Sequence, residues 1–189
     1  EDFFRAYDIT EIGGKLLAKP DEKQFTLPLD KKKKDKSIIY LAGNNQQVFF
    51  SSYGEDASRG KDIYTVRKLD NGDWGTPQNL GSPINTEYDE DYPFLHPNGK
   101  YLFFCSKGHN SMGGYDVFKS TFDAKTNTWG TPVNMDFPVN TPDDDILYVT
   151  DLKAKQAYFA SGRSSTTGKI DVYHINVERK PIDVIVLQG

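Results

Sequence analysis

The sequence predicts an all-β protein, a β-propeller or partial propeller of three to four four-stranded antiparallel blades with a 54–55 residue period. Three observations carry this prediction. The chain aligns with itself, each copy holds short apolar runs bounded by turn residues, and no segment shows the 3.6-residue apolar period of an amphipathic helix. "VFFSS" (48–52), "LFFCS" (102–106) and "AYFAS" (157–161) superpose. "KDIY" (61–64), "YDVF" (115–118) and "IDVY" (170–173) follow in register, placing Asp62, Asp116 and Asp171 at spacings of 54 and 55 residues. "DWGTPQNLGSPINT" (73–86) matches "TWGTPVNMDFPVNT" (128–141), which pairs Trp74 with Trp129 and Asn85 with Asn140.

Residues 1–37 read as a partial preceding blade or a linker. "YDI" at 7–9 lies one period before Asp62, and "FTLPLDKKKKDKS" (25–37) reads as a Lys-rich insertion whose charge run is a solvated loop. Three repeats follow, at about 38–91, 92–146 and 147–180. In the middle copy "YPFLH" is the first strand and "PNGK" a tight turn in which Asn98 and Gly99 supply positive φ. "YLFFCS" is a continuous apolar run, expected of a strand buried on both faces. "KGHNSMGG" is a polar loop, "YDVFKSTFD" the third strand, and "TWGTPVNM" an irregular edge strand broken by Gly and Pro. Asp62, Asp116 and Asp171 are expected to pin the backbone where the third strand begins. Residues 181–189 break the period and read as a linker or the first strand of a following β-domain. With no initiator Met and no basic-then-apolar leader, the chain is expected to be a piece of a longer protein.

Composition limits the function classes. Aromatics at 13% and AVILMFWYC at 37%, against 26% charged residues, suit a folded domain with an aromatic-rich interior. A net charge of -4 gives no electrostatic reason to expect nucleic acid. No apolar run is long enough to cross a bilayer, so no direct membrane insertion of this segment is expected. The single cysteine, Cys105, rules out an internal disulfide. It takes the place of Ser51 and Ala160 in the other copies, a small-residue slot where a buried, inert thiol is expected.

The chain shows no nucleophile elbow, zinc-protease helix, phosphate loop or dinucleotide fingerprint, so no catalytic residue, cofactor or enzyme activity is expected. His96 and His174 read as structural or surface residues. The acidic stretches "NTEYDED" (85–91) and "NTPDDD" (140–145) occupy equivalent places. Their Asp89, Glu90, Asp144 and Asp145 are the calcium candidates, but their spacing fits no known calcium loop and a turn-forming role is preferred. Trp74 and Trp129, each followed by Gly-Thr-Pro, are expected to pack between strands rather than stack ligands. The partner-binding candidates are His109, Asn110, Ser111 and Met112, the part of the loop peculiar to the middle copy.

"YPFLHPNGKYLFFCSKG" followed by "GGYDVF" resembles the TolB-like repeats, relatives of the Trp-Asp propeller repeats, with Asn98 where an Asp is usual. It is most similar to the long-period versions in multidomain OmpA-family cell-envelope proteins of Gram-negative bacteria, some of which serve type IX secretion or gliding. The resemblance spans about residues 38–177. It implies a periplasmic, outer-membrane-associated interaction scaffold whose partners are other envelope proteins, with any peptidoglycan contact made by domains outside this chain. "PIDVIVLQG" is similar to the first strand of the small regulatory-like β-domain that follows such propellers. A glycan or peptidoglycan-fragment binder is the alternative expectation, and a propeller appended to a hydrolase a third.

Overall fold

The computed structural model describes residues 12–55, 60–164 and 169–177. The motif at 7–9 and the segment 181–189 lie outside the described residues. The architecture is all-β, with three antiparallel sheets. The first runs β1 (Gly14–Ala18), β2 (Ile38–Ala42), β3 (Gln47–Ser52), β4 (Asp62–Arg67), β5 (Gln78–Asn79). The second holds β6 (Glu90–Leu95), β7 (Tyr101–Ser106) and β8 (Asp116–Asp123), and β9 (Thr128–Trp129) and β10 (Val133–Asn134) both pair with β8. The third holds β11 (Asp145–Thr150), β12 (Gln156–Ser161) and β13 (Asp171–Asn176). The third repeat therefore shows three of its four expected strands within the described residues.

The repeat in sequence is a repeat in geometry. Ser52 pairs with Asp62, Ser106 with Asp116 and Ser161 with Asp171, so the second and third strands of each unit keep one register. The irregular fourth strand is Trp129 and then Asn134 on β8, matched in the first sheet by a Lys68–Trp74 bridge and then Asn79 on β4. β6 and β11 carry a register shift at the same place, where Tyr92 and Leu147 take φ of 52° and 59°.

The first-to-second-strand turn uses one positive φ in each unit, at Asn45, Gly99 and Ala154. Asn98 does not share it, contrary to expectation. Its Oδ1 instead accepts the Lys100 N–H while Gly99 N–H closes on His96 O, a type I turn followed by a left-handed residue.

β3 and β7 each bury five consecutive residues, as their unbroken apolar runs require. Their faces are covered by the neighbouring sheet: β6 packs on β2, β3 and β4, and β11 on β6, β7 and β8. Tyr40 meets Phe94 and Phe103 meets Tyr148, each at 5.0 Å, and one core cluster runs through all three sheets. Cys105 lies inside it, fully buried, and burial pushes its thiol pKa up.

Residues 14–37 complete the first sheet. β1 hydrogen-bonds to β2, so the stretch expected to end a preceding blade adds a strand here. Phe25 covers the other face, packing with Val48, Phe50, Val66 and Trp74. The Lys-rich insertion, expected as a loop, forms a short helix α1 (Pro28–Lys33) that ends at left-handed Lys34. Asp30 accepts the Leu27 N–H at its start, and Lys31, Lys32 and Lys33 in the last turn suit the negative end of the helix dipole while staying exposed.

Candidate functional site

The β3–β4, β7–β8 and β12–β13 loops leave from one rim, because successive sheets are laced there in the same way twice. Asp89 Oδ1 accepts the Lys61 N–H and Asp144 Oδ1 accepts the Tyr115 N–H, each at 2.8–2.9 Å. Glu90 N–H donates to Lys61 O and Asp145 N–H to Tyr115 O, both at 2.7 Å. Gly60 and Gly114, equivalent positions, pass so close to the next unit's connection that a Cβ would strike Tyr88 O or Asp144 Oδ1. The second glycine of "GGYD" thus leaves room for the Asp144 carboxylate, and the first, Gly113, for the Pro142 backbone.

Four of these carboxylates were the calcium candidates, and each is engaged by the protein. Glu90 accepts the Thr86 N–H, the Thr86 hydroxyl and the Ser106 hydroxyl. Asp145 accepts the equivalent Thr141 N–H and hydroxyl and pairs with Arg163 at 2.6 Å. Asp89 also pairs with Lys107 at 3.1 Å. Among the described residues no three His, Cys, Asp or Glu side chains are grouped to hold a metal ion. Buried Glu90 has a raised pKa because desolvation outweighs its hydrogen bonds.

Asp62 and Asp116 do tie the start of the third strand. Asp62 Oδ2 accepts Asn79 Nδ2 at 2.7 Å, and Asp116 Oδ2 accepts Asn134 Nδ2 and, at 2.6 Å, the Met112 N–H. Asp116 Oδ1 is buried without a partner, and desolvation raises the carboxyl pKa. Asp171 is exposed and makes no such bond among the described residues. Behind the aspartates, Asn85 and Asn140 each clamp both backbone groups of one third-strand residue, Ile63 and Val117. The in-register asparagines of "GTPxN…PxNT" were the sequence signal for this relay.

His109, Asn110 and Met112 of the candidate loop are exposed, and the loop is held by several bonds to the protein. His109 Nε2 bonds Ile84 O at 3.0 Å and its ring rests on Phe104 and Phe118, at 5.9 and 5.1 Å. Arg163 does the same in the next unit, reaching Val139 O and lying over Phe159 and Tyr173. His109 is therefore a tether between units and remains exposed. Asn110 O accepts Asn134 Nδ2 from β10, and Ser111 Oγ donates to Gly114 O at 2.9 Å within the loop. Met112 alone of the four presents an exposed apolar side chain. Exposed Tyr88 and Ile170 lie on the same rim.

Sequence reasoning missed a buried ionic network at the first junction. Lys19 Nζ bonds Asp30 at 2.8 Å, Asp35 at 3.2 Å and Ser51 O at 2.7 Å, and Lys61 Nζ joins Asp35 at 2.6 Å to Asp91 at 2.7 Å. Asp91 also accepts the Ser51 hydroxyl. Two lysines thus face three carboxylates with almost no solvent contact, linking residues 19–35 to the first and second sheets. Burial works to raise the Asp35 pKa, but hydrogen bonds and charge from Lys61, Ser37 and Lys19 outweigh it and hold it low. Above the network, Tyr92 and Tyr115 meet edge to face at 6.1 Å, Lys107 lies 4.5 Å from the Tyr115 ring and Lys33 3.7 Å from that of Tyr53. This surface of tyrosines, lysines and exposed apolar side chains suits protein contact, since aromatic side chains combine large apolar area with polar ends.

Trp74 packs on Phe25 at 5.7 Å and Trp129 on Phe122 at 5.0 Å, both half-buried in their own units. Comparison with family models and with curated proteins finds no match for the chain.

Proposed function

We propose that this chain is a segment of a β-propeller of TolB-like repeats, acting as a non-catalytic interaction scaffold in a larger periplasmic, outer-membrane-associated protein of the OmpA-family kind. The observation that carries the reading is the lacing repeated at both junctions, Asp89 and Glu90 on Lys61 and Asp144 and Asp145 on Tyr115, which stacks each sheet on the last by one rule. Such stacking yields a rigid array whose loops share one rim. The rim's exposed Tyr88, Met112 and Ile170, beside the Lys107–Asp89 pair, form the contact surface for another envelope protein of a multiprotein complex, of the type IX secretion or gliding kind.

The test is co-purification of the longer protein from envelope extracts, intact and as the rim variant Met112→Asp with Tyr88→Ala, beside Lys125→Glu as an off-rim control. Partners recovered with the intact and control proteins but lost from the rim variant support the reading. Recovery of the same partners in all three removes the rim from recognition.

A further inference from the structure

Between the first and second sheets, toward the strand ends away from the loop rim, lies a cleft of about 550 Å³. One wall carries Arg67 and Gln78 from the first sheet, and the other carries Phe122, Asn127 and Trp129 from the second. The two repeat tryptophans part company here. Trp74 packs on Phe25 and does not line the cleft, whereas Trp129, braced on Phe122, does. The volume falls within the roughly 300–1,000 Å³ usual for small-ligand sites.

Several polar side chains of the repeat are bonded internally, as in the Asp62–Asn79–Asn85 relay. Gln47, Thr65 and Asn79, which also line this cleft, are hydrogen-bonded within the protein. The side chains of Arg67, Gln78 and Asn127 have no hydrogen bond or ion pair with any described residue. The equivalents of Arg67 and Gln78 at the second junction are Thr121 and Val133, so this chemistry is particular to the first junction. A guanidinium recognises a carboxylate through two parallel hydrogen bonds, and primary amides both donate and accept, as sugar hydroxyls do. An indole face offers apolar area for the C–H face of a pyranose.

We propose that this cleft binds a carboxylate-bearing oligosaccharide, with one sugar ring on Trp129, its carboxylate on Arg67, and its hydroxyls on Gln78 and Asn127. The site lies apart from the loop rim, and its failure would leave the scaffold reading untouched.

The chain has two tryptophans, so Trp74→Phe leaves Trp129 as the single indole reporter. That variant is titrated with trigalacturonate, with the neutral cellotriose, and with an acidic peptide containing one phenylalanine. The expected result is a saturable change in Trp129 emission with trigalacturonate, at an affinity at least about tenfold above that for cellotriose. Arg67→Gln should abolish that preference while keeping the affinity for cellotriose, and Gln78→Ala should weaken both sugars with the melting transition unchanged. The proposal is overturned by the absence of saturation with either sugar up to about 10 mM, by an acid preference that survives Arg67→Gln, or by tighter binding of the peptide.

Discussion

Asn140 closes its side-chain amide on both backbone groups of Val117, accepting its N–H and donating to its C=O, each at 2.8 Å and across 23 residues of chain. Asn85 holds Ile63 in the same way one repeat earlier. The third-strand N–H is thus satisfied by the connection that leads to the next unit, while the C=O is shared with the backbone N–H of Met135 or Leu80.

Asn140→Ala removes both bonds from a fully buried site and should destabilise the protein by about 1–3 kcal/mol, since the buried Val117 N–H is left unpaired while its C=O keeps the Met135 N–H. Urea unfolding measures this. A loss below about 0.5 kcal/mol would show that the clamp is dispensable.

The tether over the outer aromatic pair predicts a permissive exchange. His109→Arg should stay within about 1 kcal/mol of the parent, because Arg163 fills this role in the next unit, while His109→Ala should cost about 1–2 kcal/mol through the lost bond to Ile84 O and ring contact. Thermal melts of the two variants decide between a tether and a free loop residue.

The ionic network should be costly to break from one side. Lys61→Met leaves Asp35 and Asp91 buried beside an apolar chain, with an expected loss of about 3–5 kcal/mol. The pH dependence has a defined sign. Asp35, with its pKa held below 3.8, stabilises the fold above that value, and this stabilisation is lost as pH falls through the lowered folded pKa. Asp35→Asn should therefore flatten the acid limb of the stability profile measured by denaturant melts.

Asp116 runs the other way. Its folded pKa is raised, so the folded state binds the extra proton and stability declines as pH rises from 3.8 through the raised value. Asp116→Asn keeps an acceptor for the Met112 N–H and should remove that decline, leaving the variant as stable as the parent near neutral pH or more so. A variant with the parent's pH slope would contradict the assignment.

Ala154 occupies the left-handed turn position that Gly99 fills in the second unit, at φ 51°. Ala154→Gly should stabilise the protein by roughly 0.5–1 kcal/mol, as the strain on Cβ exceeds the added freedom of the unfolded chain. The melting temperature should rise accordingly.

Much of this was legible in the chain itself. The "YLFFCS" run gives β7 to the residue, because a strand covered on both faces has to be apolar throughout and is bounded by the turn before it and the polar loop after it. The Trp-Gly-Thr-Pro match located the broken edge strand, since Gly and Pro interrupt ladder bonding wherever they fall. The tether role of His109 was not legible because its partners, Ile84 O and the faces of Phe104 and Phe118, lie on other segments and leave no local pattern. The helix at Pro28–Lys33 was missed for a similar reason. Six residues carry no apolar period, and what holds them is buried Asp30, bonded to Lys19, Ser52 and the Tyr53 N–H.

The sequence by itself determined the period, the strand order within each unit and the small-residue slot of Cys105, because self-similarity and local turn chemistry are properties of contiguous residues. Only the tertiary structure decided that Lys19, Asp30, Asp35, Lys61 and Asp91 form one network, that residues 14–37 complete the first sheet, and that Trp129 lines a cleft while Trp74 packs on Phe25. Those outcomes depend on which segments are brought together across the sheet junctions, where desolvation makes each charge or ring answer to neighbours distant in the chain.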